Sequence, residues 1–304
     1  MSGPGLNQTR VRAFLDHLRV QRNLSPHTLS AYERDLAELH AWCIAQGIAG
    51  AGKITLIHAR AFGSALTRRG LAPRSVQRML SAVRAFYRYL LRESVVTSNP
   101  FNGLRAPKSA RRLPKTLAVD SVMQLVAIAG DDVRAHRDRA IVELLYSSGL
   151  RLAELVALDI DDLDLRDASV RVTGKGRKQR LVPVGRHARE AITTWLADRA
   201  ALAALASGDR RALFVNRRGQ RLGARAVQRR LAACGVRQGC ARRVHPHLLR
   251  HSFASHMLES SGDLRAVQEL LGHANLSTTQ IYTHLDYQHL AKVYDAAHPR
   301  ARRK

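Results

Sequence analysis

Aromatic residues are scarce in this chain of 304 residues, in which Phe, Trp and Tyr make up only 5%. The cores must therefore consist mainly of Leu, Ala and Val, a composition that favours helices. No run of about 18 apolar residues is present, and this absence argues against a membrane-spanning helix. The N-terminal segment also lacks the apolar stretch of a secretory signal, so we expect none.

Cysteine is rare as well, with three residues at Cys43, Cys234 and Cys240. Their number is odd, and no two of them have the CxxC spacing. This pattern argues against a disulfide scaffold and against a structural zinc site. It is typical of a protein of the reducing cytoplasm.

Acidic residues are few beside basic ones: 24 Asp and Glu stand against 50 Lys and Arg, which gives a formal net charge of +26. Such a chain repels itself unless a polyanion offsets the charge, so we expect a nucleic acid as its partner. General solubility or an RNA-binding ribosomal role is the alternative explanation. The length of 304 residues suits about two domains, and a hydrophobic fraction of 45% is enough to give each of them a core.

The clearest break in the chain is the basic segment 98–117, SNPFNGLRAPKSARRLPKTL. Its three prolines each disfavour helix at the preceding residue, so we expect an extended linker. The linker separates an N-terminal domain, residues 1–97, from a C-terminal domain, residues 118–304. Both domains are basic, which suggests a clamp around a duplex.

The N-terminal domain has the apolar periodicity of a small helical bundle. Helices are predicted over residues 8–21, 26–39, 55–69 and 73–91. Ser25 is expected to cap the second helix, and Trp42 and Ile44 to continue its apolar face. The fourth helix carries arginines largely away from its apolar side, which form either a solvated face or a row of phosphate contacts. They are Arg74, Arg78, Arg84, Arg88 and Arg92.

The C-terminal domain is predicted to be mostly helical, with one short β insertion. Helices are predicted over residues 120–129, 135–147 and 150–158, and again from Ala188, Ala224, Leu248, Leu264 and Thr278. Residues 169–173 and 179–184 have alternating apolar positions around a Gly-flanked basic turn. This pattern is typical of a β-hairpin.

Residues 245–284 hold several side chains suited to chemistry. His247 and Arg250 are three apart, so on a helix they share a face. His273 follows an apolar run where a helix is expected to end, and Tyr282 comes nine residues later. Taken singly, His273 can equally be a helix cap, and Tyr282 can equally be packed in a core.

Arg151 is a further candidate, because it begins a predicted helix just after Gly149. It can also simply pair with Glu154, three residues on. His247 and His251 have the i,i+4 spacing of zinc ligands, but no carboxylate or cysteine is spaced to complete such a site.

Lysine is the rarer cation, with seven residues against 43 arginines. Two of the seven, Lys175 and Lys178, lie in the turn of the predicted hairpin. Arginine is effectively always protonated, whereas lysine can release a proton. Lys175 is therefore a candidate general acid, although chance placement in an exposed turn explains it as well.

Taken together, the order Arg151, Lys175, His247-x-x-Arg250, His273 and Tyr282 resembles the tyrosine recombinases, or phage integrase family. The strings GLRLAELVALDIDDLDL, HPHLLRHSFASHMLESSGDLRAVQELLGHANLSTTQIYTHLD and VYDAAHPRA are similar to those of the bacterial Xer type. The resemblance covers nearly the whole chain. It implies a mainly α fold, with a SAM-like core-binding bundle and a mostly helical catalytic domain that contains a small β insertion.

The resemblance also implies the catalytic roles. Tyr282 would attack a DNA phosphodiester, form a 3′-phosphotyrosyl bond and free a 5′-hydroxyl, so that rejoining needs no ATP. Arg151 and Arg250 would bind the phosphate oxygens, and Lys175 would protonate the leaving oxygen. The two histidines of the set would donate hydrogen bonds or move the tyrosine proton. Because the guanidinium pair supplies positive charge, we expect no metal and no other cofactor.

Basic residues of the fourth helix, the linker and the hairpin turn are candidates for DNA binding. They are Arg74, Arg78, Arg84, Arg88, Lys108, Arg111, Arg112 and Lys178. Residues 285–298 follow the nucleophile and are predicted to form a helix with an apolar face. By the resemblance this helix docks on a neighbouring protomer of a cyclic tetramer, and docking on its own domain is the alternative.

The function implied by the resemblance is site-specific recombination of double-stranded DNA, which resolves chromosome dimers at cell division in the cytoplasm. The implied partners are a XerD-like recombinase, each enzyme cutting one pair of strands, and an FtsK-like septal DNA translocase. A mobile-element integrase and a type IB topoisomerase-like enzyme with the same chemistry are alternatives. A DNA-binding protein without catalysis is another.

Overall fold

The computed structural model describes residues 5–22, 24–105, 116–174, 178–205, 208–272 and 284–300, apart from the side chains of residues 27 and 284–289. The chain divides into two compact units, Met1–Arg112 and Leu113–Lys304. No helix within these described ranges is long and apolar enough to cross a bilayer.

The first unit is a helical bundle, as the periodicity of its sequence predicts. Its helices are α1 (Gln8–Val20), α2 (Pro26–Ala45), α3 (Leu56–Arg68) and α4 (Pro73–Arg92), with a short 3-10 helix at Ala51–Lys53. The start of α2 follows its sequence signal. The Ser25 hydroxyl accepts a hydrogen bond from the Thr28 amide at 3.3 Å, and Pro26 occupies the first turn.

The apolar side of α4 lies in the core of the first unit, where Val83, Phe86 and Tyr87 are buried. One prediction for α2 is wrong: Ile44 does not continue the apolar face and is 47% exposed. Cys43 occupies the core position instead, because it lies two helical turns after Leu36 on the buried side of the helix.

The first part of the predicted linker packs against the first unit. Phe101 is fully buried in that core. At the other end of the segment, Leu117 is buried in the second unit, and its amide donates to the Ser252 hydroxyl at 2.9 Å. Residues 106–115 lie outside the described residues. The proline and charge pattern of the sequence thus overlooks one aromatic residue that anchors the start of the predicted linker in the first unit.

The second unit is mostly helical and contains one small sheet, which confirms the predicted fold class. Its helices are α5 (Val119–Val126), α6 (Val133–Ser148), α7 (Leu152–Ala157), α8 (Arg186–Ala203), α9 (Ala224–Arg237), α10 (Pro246–Ser261), α11 (Leu264–Leu271) and α12 (His284–Ala297), with a 3-10 helix at Ile160–Asp162. Helix α6 runs through the core, and every residue from Ala140 to Ser148 is buried.

The strands β1 (Leu163–Asp164), β2 (Ser169–Thr173) and β3 (Gln179–Pro183) form an antiparallel sheet in that order. β2 and β3 are the predicted hairpin, in which Val170 pairs with Val182 and Val172 pairs with Arg180. β1 has only two residues, too few to leave a periodic signal in the sequence.

Helix α12 packs against its own unit in the single chain. Leu290, Tyr294 and His298 are buried, and the Tyr294 hydroxyl lies 2.7 Å from the hydroxyl of Ser147. The His298 ring stacks on the Tyr294 ring with centroids 4.7 Å apart. In the isolated chain the helix therefore docks on its own domain, which is the alternative that the sequence left open. Docking on a neighbouring protomer stays a prediction.

Gly149 ends α6 in a left-handed conformation, with φ +56°. A Cβ at this position would lie 2.4 Å from Cδ1 of Phe253, so Gly149→Ala adds a steric clash to backbone strain. We expect the second unit to lose about 2–5 kcal/mol of its free energy of unfolding. Urea unfolding followed by Trp195 fluorescence, in a Trp42→Phe background, measures this loss.

Gly262 provides the matched control, because it ends α10 at φ +65° but a Cβ there would meet nothing within 4 Å. Gly262→Ala therefore introduces backbone strain alone and is expected to lose about 1–2 kcal/mol. Equal losses in the two variants would show that the contact with Phe253 does not limit the residue at position 149.

Candidate active site

The structure describes three of the six predicted catalytic residues, namely Arg151, His247 and Arg250. Arg151 is the N-cap of α7, and the other two lie in the first turns of α10. The other three catalytic candidates, Lys175, His273 and Tyr282, lie outside the described residues. The same holds for three of the DNA-binding candidates, Lys108, Arg111 and Arg112.

Arg250 is a buried guanidinium that joins the ends of two other helices. It is 6% exposed. Nη1 donates to the Gly149 carbonyl at the end of α6 at 2.5 Å, and Nη2 donates to the Leu271 carbonyl at the end of α11 at 2.6 Å. A buried cation needs such partners, so these bonds orient Arg250 and hold the two helix ends together.

Arg151 reaches the same place from α7. Its Nη2 donates to the Gly272 carbonyl at 3.0 Å, and its Nη1 donates to Oε1 of Glu154 at 2.9 Å. The Arg151 amide donates to Oε2 of the same carboxylate at 2.8 Å. The pairing with Glu154 that the sequence left open is therefore present. It does not remove Arg151 from the site, because the side chain is still 42% exposed.

Arg180, on β3, is a third guanidinium at this place, and sequence reasoning misses it. It is 7% exposed. Nη1 and Nη2 donate to the two oxygens of Glu154 at 2.9 and 3.1 Å, and Nε donates to the Leu270 carbonyl at 3.2 Å. The signal lay in the strand alternation, because Arg180 has the same parity as the core residue Val182 and so faces inward.

Arg151, Arg180 and Arg250, here called the arginine cluster, bind the three successive carbonyls of residues 270–272, where α11 ends. The carboxyl end of a helix carries partial negative charge and attracts cations. Glu154 adds one full negative charge between two of the arginines. Three cations therefore have only one carboxylate to balance them, which makes the cluster a suitable place for an anion.

The pKa values within the cluster show the same excess of positive charge. Burial and the neighbouring charge of Arg151 lower the pKa of Arg250 to about 10, which leaves it protonated at neutral pH. Burial would by itself raise the pKa of Glu154, but the hydrogen bonds and charge of Arg180, with the bonds from Arg151, outweigh burial and lower that pKa. A phosphate would relieve the repulsion between the cations.

His247 is exposed in the first turn of α10, with its ring centroid 4.3 Å from that of His251 in an edge-to-face contact. Partial burial and the charge of His251 lower the pKa of His247. A neutral imidazole can accept a proton, so His247 suits proton transfer near neutral pH. Within the described part of the chain, no group of three or more His, Cys, Asp and Glu side chains is placed to hold a metal ion.

The candidates for DNA binding on α4 fall into two groups. Arg78 forms an ion pair with a buried aspartate at 3.1 Å, and Arg84 donates to a backbone carbonyl at 3.0 Å. Arg74 and Arg88 are exposed, and in the described ranges neither has an ion-pair partner. Lys178, in the hairpin turn of the second unit, is also exposed. The exposed side chains of Arg74, Arg88 and Lys178 are therefore better placed to bind phosphate than those of Arg78 and Arg84.

Comparison with known protein families follows the division of the chain. Residues 115–289 match the Phage integrase family, and residues 11–94 match the Phage integrase N-terminal SAM-like domain. The chain belongs to the phage integrase, or tyrosine recombinase, family. The resemblance of its motifs to that family is thereby confirmed, and a ribosomal role is excluded as an explanation of the charge.

Similar proteins place this tyrosine recombinase in the Xer type. A tyrosine recombinase XerC of Pseudomonas syringae pv. syringae (strain B728a) is 55% identical over 293 residues, which are 96% of each chain. A tyrosine recombinase XerC of Xanthomonas campestris pv. campestris (strain B100) is 53% identical over 305 residues, covering 100% of this chain and 93% of the relative.

Solved structures agree on the fold. A XerH site-specific recombinase bound to difH substrate has a TM-score of 0.68 at 20% identity, covering 95% of this chain and 82% of that one. A Tn1549 transposon integrase in complex with circular intermediate DNA has a TM-score of 0.72 at 17% identity, covering 93% and 98%. At such identities the likeness concerns the fold alone.

The contact between His247 and His251 leads to a prediction about protonation. His251→Phe keeps an aromatic ring beside His247 but removes a group that can be positively charged. The protonated form of His247 is then less disfavoured, so we expect its pKa to rise. An NMR titration of the His247 Cε1–H signal in the free protein measures this pKa.

His251→Arg is the control, because it keeps a positive charge beside His247 at every pH of the titration. In that variant the pKa of His247 should stay low. An unchanged or lower pKa in His251→Phe would mean that partial burial and the charges of Arg250, His245 and Arg151, rather than His251, lower the pKa of His247.

Proposed function

We propose that this recombinase cuts and rejoins double-stranded DNA at a specific site through a 3′-phosphotyrosyl intermediate on Tyr282. The observation that supports this most directly is the arginine cluster, in which Arg151 and Arg250 bind adjacent carbonyls where α11 ends. Their planar forks suit the oxygens of a phosphodiester and stabilise the charge that grows on it in the transition state.

Both side chains have donors left for a phosphate. A guanidinium carries five N–H groups. Toward described residues, Arg151 uses two of them on Glu154 and a carbonyl, and Arg250 uses two on carbonyls. Three donors on each guanidinium therefore have no hydrogen-bond partner among the described residues, so the contacts that orient the two side chains could persist while DNA is bound.

The resemblance to the family implies the remaining roles, and ordinary acid–base chemistry explains why these residue types suit them. A tyrosine hydroxyl has a pKa of about 10, so Tyr282 needs help to attack near neutrality. His247 and His273 would take its proton or donate hydrogen bonds to the phosphate. Lys175, in the hairpin between β2 and β3, would protonate the leaving 5′ oxygen. No step in this scheme calls for a metal or another cofactor.

We also propose that both units bind the same duplex. Residues 1–97 would form the core-binding domain and residues 118–304 the catalytic domain, with the chain after Phe101 as the basic connection. Phosphate contacts would come from the freer basic residues of α4 and the hairpin, and from the linker. These are Arg74, Arg88, Lys178, Lys108, Arg111 and Arg112, with Arg78 and Arg84 held by structural partners.

The biological assignment rests on the similarity to proteins named XerC. We infer that the enzyme works in the cytoplasm with a XerD-like recombinase in a cyclic heterotetramer, each partner cutting one pair of strands. Helix α12 would dock on the neighbouring protomer in that assembly. The reaction would resolve chromosome dimers at cell division, under the control of an FtsK-like septal DNA translocase.

A covalent adduct tests the chemistry. Nicked DNA that carries the target site should become attached to the wild-type protein in the presence of EDTA, and denaturing gels detect the adduct. Tyr282→Phe should form none, because it lacks only the nucleophilic oxygen. Tyr294→Phe is the matched control and should keep the adduct. A wild type without adduct, or a Tyr282→Phe variant with as much, would refute the assignment.

Which strand each recombinase cuts is tested on DNA with a separate end label on each strand. We expect this chain to cut one particular strand of the target site and to leave the other intact until the second recombinase is added. Recombinant products should then require both proteins. If this chain alone cuts both strands, the heterotetramer proposal is wrong. Relaxation of supercoils without exchange between two sites would favour the topoisomerase-like alternative.

A further inference from the structure

We propose that Arg180 is a positioning residue: it acts through Glu154 to keep Arg151 oriented, and it balances the charge of Glu154 so that Arg151 can attract the scissile phosphate. This inference deepens the function proposed above and rests on it. Arg180 is not among the six residues of the catalytic set. Its side chain is only 7% exposed, so it lies on the buried side of the cluster.

The placement of Arg180 runs against what stability alone would favour. On β3 the arginine faces inward on the same side as the core residue Val182, while its neighbour Leu181 faces outward and is 41% exposed. Exchanging the two residue types would bury the apolar side chain and expose the charged one. Burying a guanidinium requires full compensation of its charge and donors. Arg180 therefore has a task at this position that leucine could not perform.

The first part of that task is orientation. The two oxygens of Glu154 accept from Nη1 and Nη2 of Arg180 at 2.9 and 3.1 Å, a fork-to-fork pair. The same two oxygens accept from Nη1 and the amide of Arg151. Arg180 thus fixes the plane of the carboxylate, and the carboxylate in turn fixes Arg151. Lysine could supply the charge but not the two parallel bonds.

The second part is electrostatic. Without Arg180, the pair of Arg151 and Glu154 would have no net charge, and the attraction of Arg151 for a phosphate would be largely cancelled. With Arg180 present, the carboxylate is shared between two guanidinium groups, and one unit of positive charge remains. The buried arginine therefore balances the buried carboxylate, so that the more exposed arginine can act on the substrate.

Arg180 also reaches the end of α11, where the chain leads to His273. Its Nε donates to the Leu270 carbonyl at 3.2 Å. Its guanidinium lies so close to Gly272 that a Cβ there would be 3.0 Å from Cζ and from Nε. The side chain thus ties β3 and α11 to the carboxylate that orients Arg151.

The test compares the single-turnover rate of DNA cleavage in three variants. Arg180→Met removes both the charge and the fork, and we expect a loss on the order of 10²-fold. Arg180→Lys keeps the charge and should lose less, about 10-fold. The decisive variant is Arg180→Met combined with Glu154→Gln, which removes the uncompensated carboxylate. It should cleave faster than Arg180→Met alone, whereas a purely structural role predicts a further loss.

A second substrate distinguishes two ways in which Arg180 could act: on phosphate binding by Arg151, or on protonation of the leaving group by Lys175. With sulfur in place of the bridging 5′ oxygen, the leaving group needs no proton, so Lys175→Ala should regain cleavage. Arg180→Met should stay slow on this substrate, because its defect lies in phosphate binding. Recovery of Arg180→Met by sulfur would overturn the proposal.

Arg199→Met is the matched control for the loss of a buried arginine. Arg199 is 5% exposed in the same unit, and it donates to the carbonyls of Ala212 and Arg210 at 2.8 Å each. Cleavage is measured below the unfolding temperature of each variant. Equal rates in Arg199→Met and Arg180→Met would reject this inference, whereas a wild type without any adduct would reject the proposed function itself.

Discussion

The second unit depends on one cluster of buried charge, in which Arg151, Arg180 and Arg250 converge where α11 ends. Each guanidinium comes from a different element, and the two buried ones, Arg180 and Arg250, need carbonyl or carboxylate partners because they have left water. The ends of α6 and α11, the start of α7, the strand β3 and the body of α10 are therefore held in one arrangement. Local helix signals alone could not produce it.

The same cluster explains why the isolated protein is prepared for an anion. Three cations are balanced by one carboxylate and the partial charges of a helix end, and burial together with the neighbouring charge of Arg151 lowers the pKa of Arg250 to about 10. Such a site gains more from a phosphate than a single exposed arginine would, because a phosphate removes repulsion as well as adding attraction. The net charge of +26 extends this preference over the whole chain.

Helix α12 shows a different balance between stability and assembly. Tyr294 in this helix and His298 directly after it are buried and pack within their own unit in the single chain. Docking on a neighbouring protomer would need an equivalent surface to receive the same side chains, since leaving them in water would expose apolar area. Assembly would then be an exchange of equivalent contacts between chains rather than the formation of new ones.

The sequence by itself determined the helices, the hairpin and the family, because apolar periodicity, the cap at Ser25 and the ordered motif residues are local properties of the chain. Tertiary structure alone decided that Cys43 rather than Ile44 enters a core, and that Arg180 faces inward to share Glu154 with Arg151. Periodicity gives the spacing of a face but not which neighbour covers it. A charged residue at an inward position can be understood only when the carboxylate it meets, 26 residues away in the chain, is in place.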